Sequence, residues 1–128
     1  MKIFPWPFAL MLALAAGQVR AAAPLSPAVQ DYGAQMFQSV TQQIAADAAR
    51  NQGLIRRYFG AKGATAEVEF VVLRSGQVAY DRIMRSSGNR AFDADVLSWT
   101  GTMILPPFPP SIPDKHLAFV VPYFFRGG

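Results

Sequence analysis

From Val29 onward, apolar residues recur at steps of three and four: Val29, Tyr32, Met36, Phe37, Val40, Ile44 and Ala48. That spacing draws one apolar stripe along an amphipathic helix. Ser26-Pro27 marks its start, because a serine oxygen caps orphan amides and proline suits the first helical position. Asn51-Gln52-Gly53 marks its end. The stripe reads as a core face rather than a ligand groove. Over residues 54–63 the period is less clear, and Leu54-Ile55 and Tyr58-Phe59 extend the packing as far as a loop at Gly60 and Gly63.

At Thr65 the period changes to two. Ala66, Val68, Phe70 and Val72 point one way, and Glu67 and Glu69 the other. Arg74-Ser75-Gly76-Gln77 is a polar turn, after which Val78, Tyr80, Arg82 and Met84 alternate with Ala79, Asp81, Ile83 and Arg85. The two segments predict a β-hairpin. Ser86-Ser87-Gly88-Asn89 ends the second strand, and Asn89 is placed to cap a helix whose apolar side carries Phe92, Val96, Trp99 and Met103. Asp93 and Asp95 fall in its first turns, where they read as solvated acids favoured by the helix dipole.

The prolines at 106, 107, 109, 110 and 113 exclude helix and predict extended chain. His116 to Phe125 (HLAFVVPYFF) is rich in β-branched and aromatic residues and reads as a strand. Its Pro122 cannot donate to a ladder, which favours an edge position or a bulge. The order is helix-β-β-α-β. A helix between the second and third strands makes a crossover, and its handedness sets the third strand beside the first. The expected fold is therefore a two-layer α+β domain: a three-stranded antiparallel sheet in order 2-1-3, helices on one face, the third strand at an edge.

Residues 1–23 change the count of what folds. Lys2, the apolar stretch Phe8 to Ala16 and the small residues Ala21-Ala22-Ala23 have the three parts of a secretory signal peptide. An uncleaved inner-membrane anchor is the alternative, and Pro5 and Pro7 leave the segment short of the roughly 20 apolar residues a spanning helix needs. The expected organisation is a leader at 1–23, a helix and loop at 24–63 and the sheet domain at 64–128.

Composition adds exclusions. At 52% hydrophobic and 16% charged the chain is globular rather than disordered. Its 12 basic residues less Lys2 and Arg20, set against 8 acidic, leave +2 after the leader is removed. The basic residues are scattered, with Arg56-Arg57 the one doublet, so nucleic acid is not an expected partner. There is no cysteine, which excludes disulfides and thiolate chemistry.

The ordered series VEFVVLRSGQVAYDRIMRSSGN (68–89), AFDADVL (91–97), PPFPPSIP (106–113) and LAFVVPYFF (117–125) resembles the carboxy-terminal domain of the TonB family. The leading helix, with Tyr32-Gly33-Ala34-Gln35, is similar to the related TolA branch. The resemblance spans about residues 65–125. It implies a periplasmic domain that docks on an outer-membrane or periplasmic protein of the cell envelope, often by adding a partner strand to the sheet edge. The positions that correspond are Leu117, Ala118, Phe119, Val120, Val121, Tyr123, Phe124 and Phe125. Alternate side chains of this strand must face the helices. A TonB-type energy transducer also carries a polar-patterned membrane helix and a long proline-rich spacer, which this sequence does not show, so a binding module without its own energy-transducing anchor is expected.

An enzyme is not expected. His116 is the single histidine, no G-x-S-x-G elbow is present, and the turn RSGQ is not a phosphate loop. Glu67 and Glu69 share a strand face and read as surface acids. No metal or small-molecule cofactor follows from these residues. The competing structural reading is a fixed subunit of an envelope-spanning secretion, conjugation or transport assembly, and pairing of two copies at the free edge is a further way to satisfy it.

Overall fold

The computed structural model describes residues 26–127, and the leader read at 1–23 lies outside the described residues. Helix α1 spans Pro27–Arg50, α2 spans Gln52–Phe59, and a 3-10 turn at Gly60–Lys62 leads into strand β1, Ala64–Leu73. Strand β2 is Val78–Arg85, helix α3 is Arg90–Gly101 and strand β3 is His116–Phe125.

Each element follows from its local sequence. Ser26 caps α1, its side-chain oxygen accepting the Val29 N–H at 3.2 Å, with Pro27 inside the first turn. Val29, Tyr32, Met36, Val40 and Ile44 form the buried stripe of α1, with Phe37 and Ala48 half-buried along its flank. Asn89 caps α3 by accepting the Phe92 N–H at 2.9 Å. In β1, Ala66, Val68, Phe70 and Val72 are fully buried, while the residues between them face away from the helices.

The sheet is antiparallel in order β2-β1-β3, as the crossover argument expects. The α1 stripe, Ile55 of α2, Phe92 and Val96 of α3 and the buried side of the sheet form one core. Among the described residues, no helix lies over the other sheet face. Phe92 is central to the core, with Phe59, Trp99 and Phe125 all edge-on to its ring at 5.0–5.7 Å.

Two bulges in β2 alter the simple alternation expected for that strand. The register skips Ala79 and Met84, so Val78, Asp81 and Ile83 lie opposite the buried side of β1, and Tyr80, Arg82 and Arg85 lie on the open face. Each extra residue reverses the period of two.

The proline-rich connection is held from the hairpin turn. Arg74 Nη1 donates to the carbonyls of Ile112 and Asp114 at 2.5 and 2.8 Å, and the Arg74 carbonyl accepts the Phe108 N–H at 2.8 Å. Phe108 and Ile112 are buried and fix the segment to the core. Gly76, at φ +91°, is obligatory in this turn, because a Cβ there would lie 2.0 Å from the Leu105 carbonyl oxygen.

Candidate functional site: the β3 edge and the groove beside it

The geometry of β3 follows from its pairing with β1. Ten consecutive pairs run from Leu73↔His116 to Ala64↔Phe125 without interruption. Just beyond them the Arg74 N–H donates to the Lys115 carbonyl at 3.2 Å. In an antiparallel ladder, bonded and non-bonded pairs alternate. Residues 115, 117, 119, 121, 123 and 125 therefore turn their backbone groups toward β1, and 116, 118, 120, 122 and 124 turn theirs to the free edge. Pro122 falls on the free side. Its missing N–H leaves the ladder intact and removes one donor from the open row.

Side chains follow the same parity. Phe119, Val121, Tyr123 and Phe125 are buried in the core. Of the eight residues expected at the site, these four shape the edge from within and do not present side chains to a partner. Ala118, Val120 and Phe124 lie on the open sheet face, where Phe124 is 75% exposed. Leu117 packs against the core at the start of the strand.

The two sheet edges differ. β2 carries two bulges and its open-face arginines are engaged: Arg82 Nε bonds Glu69 Oε1 at 2.6 Å, and Arg85 Nε lies 3.8 Å from Glu67 Oε2. Bulges and charges discourage strand addition. β3 has neither along His116–Phe125.

Beside it lies a groove of about 240 Å³ between the flank of α1 and β3. Phe37, Ile44, Ala45 and Ala48 form one wall, and Val121 and Phe125 are among the residues of the other. These α1 residues follow helical spacing along the side of the helix next to its buried stripe. The lining is mainly apolar.

The end of β3 is basic. Gly127 packs against the backbone of Gly60 and Ala61, Arg56 Nε reaches the Gly127 carbonyl at 3.4 Å, and Gln52 donates to the Arg126 carbonyl at 2.9 Å. These contacts gather Arg56, Lys62 and Arg126 at one end of the strand. The ion pairs among the described residues are Arg50–Asp47, Arg82–Glu69 and Arg85–Glu67, so the three cations have no carboxylate partner there.

The acids sort differently from the sequence expectation. Asp93 is not simply solvated: it accepts from Ser86 Oγ at 2.5 Å, Ser87 Oγ at 2.6 Å and the Ser87 N–H at 2.9 Å, tying the exit of β2 to α3. Burial works to raise its pKa, but these hydrogen bonds outweigh it and hold the carboxyl below its ordinary value. Asp81, turned to the helix side by the bulge, has Oδ2 buried without a partner, and burial pushes it up. Glu67 and Glu69 are the surface ion pairs above. His116 is exposed at the strand start. Among the described residues no group of three or more His, Asp or Glu side chains converges as a metal site. No helix among them is long and apolar enough to cross a membrane.

The sequence reading missed the groove, the basic cluster and Arg74. The spacing of Phe37, Thr41, Ala45 and Ala48 was the available signal for the first. The second is assembled from residues far apart in the chain.

In comparison with known families, the family model described as TonB C terminal matches residues 29–121. It begins within α1, well before residue 65, and so includes the leading helix. No curated protein and no solved structure matches the chain.

Proposed function

The chain belongs to the TonB C-terminal family, whose domains are periplasmic protein-interaction modules, and from that premise we propose that it captures an envelope protein by strand addition along β3. The observation that carries this reading is the unbulged ten-pair register of β3, which leaves one regular row of backbone groups facing outward. An extended partner segment satisfies the N–H groups of residues 116, 118, 120 and 124 and the carbonyls of residues 116, 118, 120, 122 and 124. The leader read at 1–23 supports delivery to the periplasm. The partner is an outer-membrane or periplasmic protein, and the module works by binding without chemistry of its own.

Val120→Pro tests this directly. It removes an outward N–H from a residue whose side chain lies on the open face, so the core is left alone. Capture should weaken by about tenfold, one lost edge bond plus local mispairing. The readout is photo-crosslinking in the cell from probes at Ala118 and Phe124, with and without the proline. A folded variant giving undiminished adducts with the same envelope protein would sink the proposal.

A second reading, a permanent subunit of an envelope assembly, is favoured by the uncovered sheet face. Phe124 at 75% and Tyr80 at 53% exposure lie on it, and a fixed neighbour would bury them.

A further inference from the structure

We propose that Asp81 is a proton-operated catch between β2 and α3: as the neutral acid it packs beneath the last turn of the helix, and as the carboxylate it loosens that turn. The catch works in the helix layer, away from the β3 edge, and stands apart from strand addition.

A bulge puts the acid there. The register of β1 and β2 shifts between Val71 and Val72, which leaves Asp81 opposite the buried Phe70. The residue as a whole is half-buried, but its Oδ2 is enclosed with no hydrogen-bond partner among the described residues. That oxygen lies 3.5 Å from where a Cβ would stand on Gly101, the last residue of α3. The C-terminal end of a helix is the negative end of its dipole, and the last turn of α3 holds no basic residue to offset it. A carboxylate there loses water at one oxygen and gains repulsion. The neutral acid avoids the repulsion and carries a proton to donate.

The surrounding charges leave this unrelieved. Among the described residues no ion pair includes Asp81. On β2 itself, Arg82 and Arg85 turn to the open face and meet Glu69 and Glu67. From β1 the neighbour is Phe70. From β3 it is the Tyr123 phenol, on which Asp81 and Asp47 of α1 act with the same sign, and Asp47 is held by Arg50. On α3, Arg90, Asp93 and Asp95 lie in the first half of the helix, and Asp93 is bonded to Ser86 and Ser87. Burial accordingly holds the Asp81 carboxyl above its ordinary value. A carboxyl raised in this way stabilises the fold below the ordinary carboxylate range, and that stability is lost as pH rises through its folded value. Asp93, held low, works in the opposite sense, so substitution must separate the two acids.

The experiment compares protein purified from cells expressing the full chain with Asp81→Asn, which keeps the shape and removes the titration. Thermal midpoints and amide hydrogen-exchange protection are followed from about pH 3 to about pH 7, across the carboxylate range. The gap between the two proteins should grow with pH, Asp81→Asn gaining about 2–4 °C on the parent over that interval. Protection at residues 97–101 should fall with rising pH in the parent and hold in the variant. The Asp81 carboxyl carbon shift reports the titration directly, and Ser98→Lys, which sets an ammonium one turn from Gly101, should lower its midpoint. A gap that does not change with pH, or a carboxyl that titrates at or below the ordinary aspartate value, would overturn the catch. So would a pH-dependent gap with unchanged protection in α3, because the acid would then titrate without loosening the helix.

Discussion

Thr100 and Tyr123 show what one polar contact does inside this core. Thr100 is fully buried on α3, and its hydroxyl meets both the Val96 carbonyl and the Tyr123 hydroxyl at 2.9 Å. The bond ties the crossover helix to β3 and satisfies two groups that would otherwise be costly to bury. Tyr123→Phe leaves Thr100 its carbonyl partner and should cost about 0.5–1.5 kcal/mol. Thr100→Val strands the phenol and should cost about 1–3 kcal/mol. The double variant should lose less than the two together, measured by urea unfolding. Both buried phenols also predict a pH dependence. Burial pushes Tyr32, whose hydroxyl donates to the Pro106 carbonyl at 2.7 Å, up to about 12 and raises Tyr123 as well. Their folded pKa values exceed the unfolded value of about 10, so the folded state binds more protons above that pH. Stability should be unaffected by them at neutral pH and fall as pH rises from about 10 toward 12. Tyrosinate absorbance at these two rings should lag behind that of the exposed tyrosines, and Tyr32→Phe should raise the alkaline unfolding midpoint.

At the scale of elements, the hairpin turn does more than reverse the chain. Leu73 and Gln77 close it, while Arg74 and Gly76 grip the proline-rich connection from both sides. That connection has one turn bond of its own, from the Ile112 N–H to the Pro109 carbonyl at 3.0 Å, and extended proline-rich chain adds few others, so it is held from outside. It delivers the chain from the end of α3 to the start of β3 on the far side of β1. Gly76→Ala combines positive-φ strain with a clash against the Leu105 carbonyl and should cost more than about 3 kcal/mol. The loss should appear as a lower thermal midpoint together with accelerated proteolysis near residue 107. The strands and α3 were legible from period and caps, because those signals are local. The β2 bulges were not, because a bulge is set by what the neighbouring strand requires and not by its own residues.

At the scale of the molecule, the described residues form a sheet with one face covered by helices, one face without them, and two unlike edges. The bare face and the β3 edge each offer a surface for another chain, which gives the oligomeric state diagnostic value. A transient adaptor should elute from size exclusion as a monomer across micromolar concentrations. A fixed subunit should self-associate or aggregate, and Phe124→Lys should then restore solubility by charging the exposed apolar end of β3. By itself the amino-acid sequence determined the helix-β-β-α-β order, the buried side of β1, the sheet order and the candidate edge strand, and it carried the family resemblance. All of these depend on short-range periodicity, caps and crossover handedness. Only the tertiary structure decided that even-numbered residues of β3 face outward, that Pro122 spares the ladder, and that Arg56, Lys62 and Arg126 converge. Each of these depends on the register and packing of segments distant in sequence. Period tells a residue which layer it faces; pairing decides which of its backbone groups remain free for a partner.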